Sequence, residues 1–539
     1  MRRTVVVGLV AAIAATSASV AEASAALGLT RPASTPTTAA PAQPVTERPD
    51  RISAALAARL QGSRVLITGE TTETTLSYAE PNGSFTLEAN PAPVRVQRDG
   101  AWQAIDTTLI QRDGAWAPKV AKAEVEISAG GGQAPLVKLE RSDTESFALN
   151  WPTALPAPTI EGNKATYIDA AGPGADLVVT ALATGFRHDV VLRERPSGPV
   201  EYKLAVESEN LTLAESKAGG LTLTNEDGKK VAAASPPVMY EAATDQPAPE
   251  ATAQAPVAID TQVVNEGGQQ LLILTPDAEF LADPATQYPV VVDPTTTLGV
   301  SSDIFVRSDQ ADSTGGDYLK VGSPNNGTTK IRSYLKFNVA PIVGKHVISA
   351  EMRLWNMDSG SCDPGYGVIA RRVIGAWEQS SLTWANQPTA YATGETTVKT
   401  AYGASGSCVA NWMRFPITNI TQAWSAGSPN NGVQLRGASE TDIRSYRVFH
   451  STNFDVVGTT PRPPALTVNY NSYPATATTV TGGAVTGIDK VAYTGATPAL
   501  YAAAADADAR TQTRLDFEVS TLAGSVLWRG SSASVSAGT

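Results

Sequence analysis

The sequence predicts an all-β protein: a β-rich N-terminal region, then a β-sandwich, then a partial immunoglobulin-like domain. Three observations carry this. Charged residues make up only 17% of the chain, while Gly (44) and Pro (36) are plentiful and Thr, Ser and Val recur, a composition suited to short strands joined by turns. Asp-Gly and Asn-Gly pairs, which favour tight hairpin turns, punctuate alternating apolar and polar runs. From Val65 to about Val292, and again through residues 300–471, the sequence reads as strand-like runs set between turn residues.

Taken in order, Arg2 and Arg3 form a basic start, Thr4 to Val20 is almost wholly apolar or small, and Ala23-Ser24-Ala25 is a small-residue cleavage site. Residues 1–25 therefore read as a signal peptide cut after Ala25, and the protein as secreted and extracellular. No later run is long enough to span a bilayer, so no integral membrane segment is expected after removal of the signal. Residues 26–50, rich in Pro, Thr and Ala, read as a linker. The β-rich N-terminal region is expected over 51–299. It opens with one short helix, Ile52 to Leu60, capped by Asp50 and stopped by Gly62. Gln97-Arg98-Asp99-Gly100-Ala101-Trp102 returns as Gln111-Arg112-Asp113-Gly114-Ala115-Trp116, two hairpin turns of one meander. Ala175 to Thr180 and Phe186 to Leu192 read as strands paired around Gly185, and Tyr288 to Pro294 as the exit strand.

Residues 300–471 hold Trp355, Trp377, Trp384, Trp412 and Trp424. Gly322-Ser323-Pro324-Asn325-Asn326-Gly327 echoes Gly427-Ser428-Pro429-Asn430-Asn431-Gly432. Each copy precedes Ile-Arg-Ser-Tyr, at Ile331 to Tyr334 and Ile443 to Tyr446. Both are read as equivalent hairpins of one sandwich. Residues 472–484 read as a second linker. Residues 485–539 carry strand-like runs that do not complete a seven-strand pattern, hence the partial immunoglobulin-like domain.

The two cysteines, Cys362 and Cys408, fall in one predicted secreted domain and are expected to form a disulfide. No G-x-S-x-G, H-E-x-x-H or C-x-x-C motif occurs, and His188 and Asp189, adjacent in a strand, point to opposite faces. No catalytic residue is assigned and the protein is expected not to be an enzyme. A net charge of −11 with no basic stripe argues against nucleic acid. Asp303, Asp309, Asp312 and Asp317 could surround calcium, but their spacing matches no defined loop, so no cofactor is expected and the metal question stays open.

Tryptophan and tyrosine rings stack on the C–H faces of sugars at low entropic cost. Arg332, Tyr334 and Lys336 share one strand face by period two, a face suited to an acidic sugar and equally to a solvated sheet surface. With Trp384 and Trp412 they form the candidate ligand site. For Trp377, Trp384 and Trp424 taken singly, a core position is the stronger reading.

The segments Asp303 to Arg307, Tyr318 to Gly322, Arg332 to Phe337, Ser380 to Pro388 and Asn430 to Leu435 resemble the DNRLRE domain, grouped with carbohydrate-binding module family 96. The resemblance implies a jelly-roll-like β-sandwich and, for some members, binding of acidic polysaccharide. Ala57 to Val65, Thr184 to Leu192 and Tyr288 to Pro294 are similar to the front of large secreted actinobacterial proteins that continue into RHS/YD repeats and sometimes a toxin. This chain resembles only that front end, as a natural short form or a truncated product. The leading expectation is a secreted, non-catalytic protein that binds polysaccharide or cell-wall glycan. The alternatives are a structural front end of an RHS-like toxin or wall-associated protein, and a polysaccharide-degrading enzyme.

Overall fold

The computed structural model describes residues 44–539 except 132–134, 217–219, 235, 242–256, 294, 299–302, 310–312, 315–317, 405–407, 455–460, 474–477, 483–484, 487–491, 494–498, 504–511, 521–524 and 537–539. The expected signal peptide and most of the first linker lie outside the described residues. Strands dominate, and the all-β expectation holds. No described helix is long and apolar enough to cross a membrane.

Local signals act as their chemistry dictates. Helix Arg51–Gln61 begins at Asp50, whose carboxylate accepts from the Ser53 amide, and ends at Gly62 in the left-handed region with φ +74°. Asp99-Gly100 and Asp113-Gly114 each place both central residues at positive φ, closing two-residue hairpins whose twist matches the strands. Strands Ala175–Leu182 and Gly185–Leu192 pair antiparallel from Ala175 opposite Leu192 to Leu182 opposite Gly185.

Two sandwiches result. In the first to form along the chain, an eight-stranded sheet (106–150, 202–209 and 260–275) faces an eleven-stranded sheet (159–192, 211–241, 257–258 and 290–298). Phe147, Leu149, Leu204 and Leu272 from one sheet meet Tyr167, Leu177, Phe186 and Val292 from the other in one core.

The second sandwich pairs a six-stranded sheet with a nine-stranded one. The six-stranded sheet runs in the order Ser313–Thr314, Asp303–Arg307, Ile331–Leu335, Val433–Gly437, Val368–Val373, Ala390–Val398. The nine-stranded sheet centres on the long strand His346–Ser359, flanked by Ala465–Asn471, Asn411–Pro416 and Arg447–His450. Its inward residues Met352, Leu354, Met413, Phe415 and Val468 pack on Leu335, Val368, Ala370 and Leu435, with Trp424 of helix Thr418–Ser425 closing the core.

The division into 51–299 and 300–471 is not the division of the sheets. Strands Glu47–Arg48, Val65–Ile67, Thr75–Ala79 and Phe85–Ala89 belong to the nine-stranded sheet, where Leu87 pairs with Val468. Helix Arg51–Gln61 covers the same core through Ala54 and Ala58. The apolar alternation of Phe85, Leu87 and Ala89 needs a buried face, and the partner that offers one lies at the far end of the chain. The sandwich encloses the first domain as an insertion.

The two hexapeptide echoes also differ. Both lead into strands, Ile331–Leu335 and Val433–Gly437, and these pair with each other, Ser333 opposite Leu435. The second Ile-Arg-Ser-Tyr is instead a 3₁₀ turn, because Asp442 caps it by accepting from the Arg444 amide. In the last region the described strands form short antiparallel pairs, among them Asp516–Ser520 with Val526–Ser531.

Candidate functional site

The alternation of Ile331–Leu335 puts Arg332, Tyr334 and Lys336 on the outer side of the six-stranded sheet, as expected. That side is not open. Residues 374–388 fold over it, and Trp377 and Leu382 join Ile304, Val306, Tyr334 and Val373 in a small second core, with Trp384 packed against it. Tyr334 is fully buried; its hydroxyl donates to Gln387 Oε1 at 2.9 Å and accepts from Gln434 Nε2 at 2.6 Å. Arg332 makes a two-point pair with Glu440, Nε to Oε1 at 2.7 Å and Nη2 to Oε2 at 2.8 Å, and its guanidinium lies 4.7 Å from the Trp384 ring centre. Lys336 Nζ donates to the Trp377 carbonyl at 2.6 Å, over the Trp377 ring. Burial lowers the Lys336 pKa, with Glu378 opposing. The expected open, charged face is thus partly covered, and its two cations are engaged within the protein. Period two tells which side a residue takes, not whether a loop covers that side.

Trp412 lies on the other sheet. Its strand Asn411–Pro416 turns Met413 and Phe415 inward, which sends Trp412 and Arg414 outward. On His346–Ser359, inward Met352 and Leu354 send Arg353 and Trp355 outward in the same way. Trp355 sits directly opposite Trp412 in the register, ring centres 5.5 Å apart in an edge-to-face arrangement. Arg353 stacks 4.9 Å from the centre of Trp412, and Arg462 stacks 3.6 Å from the centre of Trp355. Both rings are half-buried. Arg414 pairs with Glu351 beside them, whereas among the described residues Arg353 and Arg462 make no ion pair.

Beneath this row, His450 is buried against Phe454, rings stacked at 3.4 Å, and its Nδ1 accepts from the Arg462 amide at 3.3 Å. Burial, then the Arg462 charge, lower its pKa to about 4, so the ring is neutral at pH 7 and serves as the acceptor that seats Arg462. The Cys362–Cys408 disulfide (S–S 2.00 Å) joins the segment after His346–Ser359 to the segment before Asn411–Pro416, bracing the two strands that carry the tryptophans.

The structure therefore gathers Arg332, Tyr334, Lys336 and Trp384 into one cluster, Tyr334 buried and the other three half-buried, and sets Trp412 apart, with Trp355, Arg353 and Arg462 as neighbours that sequence reasoning missed. The alternation Met352-Arg353-Leu354-Trp355 against Trp412-Met413-Arg414 was the available signal. Of the proposed calcium acids, Asp303 accepts from the Thr452 amide and hydroxyl, and Asp309 pairs with Arg307 and accepts from Thr329. Asp312 and Asp317 lie outside the described residues. Among the described residues no three His, Cys, Asp or Glu side chains are grouped to hold a metal.

Comparison with known proteins adds to this geometry. Residues 294–456 match the model of carbohydrate-binding module family 96, so the chain carries a carbohydrate-binding-module-like domain, and that domain holds Arg353, Trp355 and Trp412. The chain is also similar to the tRNA(Glu)-specific nuclease WapA of Bacillus subtilis subsp. natto (strain BEST195), the tRNA nuclease WapA of Bacillus subtilis (strain 168) and the tRNA3(Ser)-specific nuclease WapA of Bacillus spizizenii. Each is 25% identical over 401 residues, which is 68% of this chain and 16% of the relative. The expectation that the protein is not an enzyme is overturned by these relatives, all named as nucleases. The exclusion of nucleic acid, drawn from net charge alone, is not supported beside relatives named for tRNA nucleases, because bulk charge bears on solubility and association rather than on the identity of a partner.

Proposed function

We propose that this chain attaches a secreted, wall-associated protein of the nuclease class to an acidic polysaccharide, through the Trp355–Trp412 row of its module. The observation that carries this reading is the pairing of two outward indole rings with two arginines that have no carboxylate partner among the described residues. Stacked rings offer planes for the C–H faces of sugars, and a guanidinium can take a carboxylate or sulfate by two parallel hydrogen bonds. The relatives' names support placing the module in a nuclease-type protein, where anchoring on a glycan surface would concentrate the protein there.

The test is binding of the purified chain to polygalacturonate and to neutral dextran. Binding to the acidic polymer is expected to exceed that to dextran. Trp355→Ala is expected to weaken it at least about tenfold, the usual loss when a central aromatic anchor is removed, with little change in melting temperature. Equal retention on both polymers, or full retention by Trp355→Ala, would overturn the assignment. Incubation of the same preparation with labelled tRNA reads whether nuclease activity resides in this part of the protein.

A further inference from the structure

His450 is buried, yet it touches two members of the tryptophan row. Its ring meets the Trp355 ring edge to face at 6.3 Å, and its Nδ1 accepts from the Arg462 amide. The Arg462 guanidinium in turn lies over Trp355. One imidazole thus supports both an indole plane and the arginine stacked on it.

A neutral imidazole has one nitrogen that accepts and one that carries hydrogen. Because Nδ1 accepts here, Nε2 holds the hydrogen, and the next proton can go only to Nδ1. Protonation therefore falls on the atom that seats Arg462. It turns an acceptor into a donor aimed at an N–H, and it adds a positive charge close enough to Arg462 for the two to repel. The ring also has room to yield. Phe454, stacked on His450, borders a cavity of about 220 Å³, lined by Phe454 and Pro461 from the module and by Asn163 and Leu182 from the insertion domain. No ionisable side chain among the described residues lines that cavity. On the elements packed around the ring, the other titratable groups are Tyr318, opposite His450 in the register, Lys320 on the same strand, Arg353 and Asp358 on His346–Ser359, and Asp303, which holds Thr452. Burial and the Arg462 charge, not these groups, set the proton affinity of the ring.

We propose that protonation of His450 unseats Arg462 and releases the acidic polysaccharide from the Trp355–Trp412 row, so that the module lets go of its ligand in acid. The inference rests on that row being the glycan site. His450 is a positioning residue, acting through Arg462 and Trp355. The sign of the effect separates it from bulk charge: acid neutralises carboxylates and adds protons, and each added positive charge would by itself tighten a polyanion.

The experiment measures binding of the full chain to dextran sulfate, whose groups keep their charge across the range, with circular dichroism at each pH to check the fold. With a ring pKa of about 4 and binding by the neutral form alone, apparent affinity is expected to fall about twofold from pH 7 to pH 4 and about tenfold by pH 3. His450→Phe keeps a stacked ring without an acceptor. It is expected to bind weakly at pH 7 and to show no further fall toward pH 3. His450→Asn places an amide oxygen, which does not titrate, near the position of Nδ1. It is expected to recover part of the affinity lost in His450→Phe, again without the acid fall. The chain has only three histidines, so their ring resonances can be followed directly. Saturating polymer is expected to lower the His450 titration midpoint, by reciprocity of binding and protonation, whereas a polyanion acting by charge alone would raise it. A midpoint raised or unmoved by polymer, an affinity that holds or rises from pH 7 to pH 3, or an equal acid fall in His450→Phe would each overturn the proposal. No binding of the parent at pH 7 would overturn the glycan assignment, and this proposal with it.

Discussion

The two outer faces of the module use the same residue types to opposite ends. On the six-stranded sheet, Arg332 and Lys336 lie over Trp384 and Trp377, yet each cation is consumed inside the protein, by Glu440 and by a backbone carbonyl. On the nine-stranded sheet, Arg353 and Arg462 lie over Trp412 and Trp355 with no such partner among the described residues. An arginine over a tryptophan is therefore no sign of a ligand site by itself. What separates scaffold from site is whether the remaining hydrogen-bonding capacity of the cation is already spent.

The comparison can be broken in three ways, in falling order of effect. Replacing both Cys362 and Cys408 by Ser releases a brace spanning 46 residues. In the chain-entropy model this costs about 4 kcal/mol. The loss should fall on the open face first: chemical denaturation is expected to show the lower stability, and polygalacturonate binding should weaken in the still-folded protein. A double variant as stable as the parent would remove the brace from the account.

Arg332→Ala comes next. It leaves the buried Glu440 carboxylate with Arg436 alone, and loss of one partner from such a pair costs about 2–3 kcal/mol. The expected result is a melting temperature lower by several degrees with glycan affinity unchanged per folded molecule. Loss of affinity with unchanged melting temperature would return Arg332 to the ligand site.

The smallest effect is expected at Arg353, which is exposed and without an ion pair among the described residues. Arg353→Gln should leave stability within about 0.5 kcal/mol. It should weaken polygalacturonate binding about threefold at low salt and less at high salt, since charge attraction at an open surface is screened within about 8 Å at physiological ionic strength. An affinity independent of both salt and Arg353 would mean that stacking alone holds the polymer.

What could be read from the sequence was local. The Asp50 cap, the Gly62 stop and the Asp-Gly turns depend on side chains within a few residues of one another, and each was legible. Cys362 and Cys408 were legible because each had one candidate partner. Two things were not. Nothing near Phe85–Ala89 says that its partner is Ala465–Asn471, because strand pairing is set by whole-chain packing. Nothing in Arg332-Ser333-Tyr334 says that residues 374–388 will cover it, although Trp377 and Leu382 in that segment needed somewhere to bury their apolar surface. The candidate residues came apart for the second reason: Arg332, Tyr334 and Lys336 lie under a covering segment, while Trp412 sits in a row that carries only a plain strand alternation.

The pairing of Phe85–Ala89 with Ala465–Asn471 bears on how the protein is made. Thr86 and Asn469, which share a hydrogen bond, are 383 residues apart. A chain synthesised from its N-terminus must hold four finished strands, paired with one another but without the rest of their sheet, while the insertion domain emerges and folds. During that interval Phe85, Leu87 and the unpaired backbone of their strand are a sticky edge. Any fragment cut at the limits of the family match, residues 294–456, keeps His346–Ser359 but discards Ala465–Asn471, and so leaves a lasting unpaired edge of its own along residues 346–353.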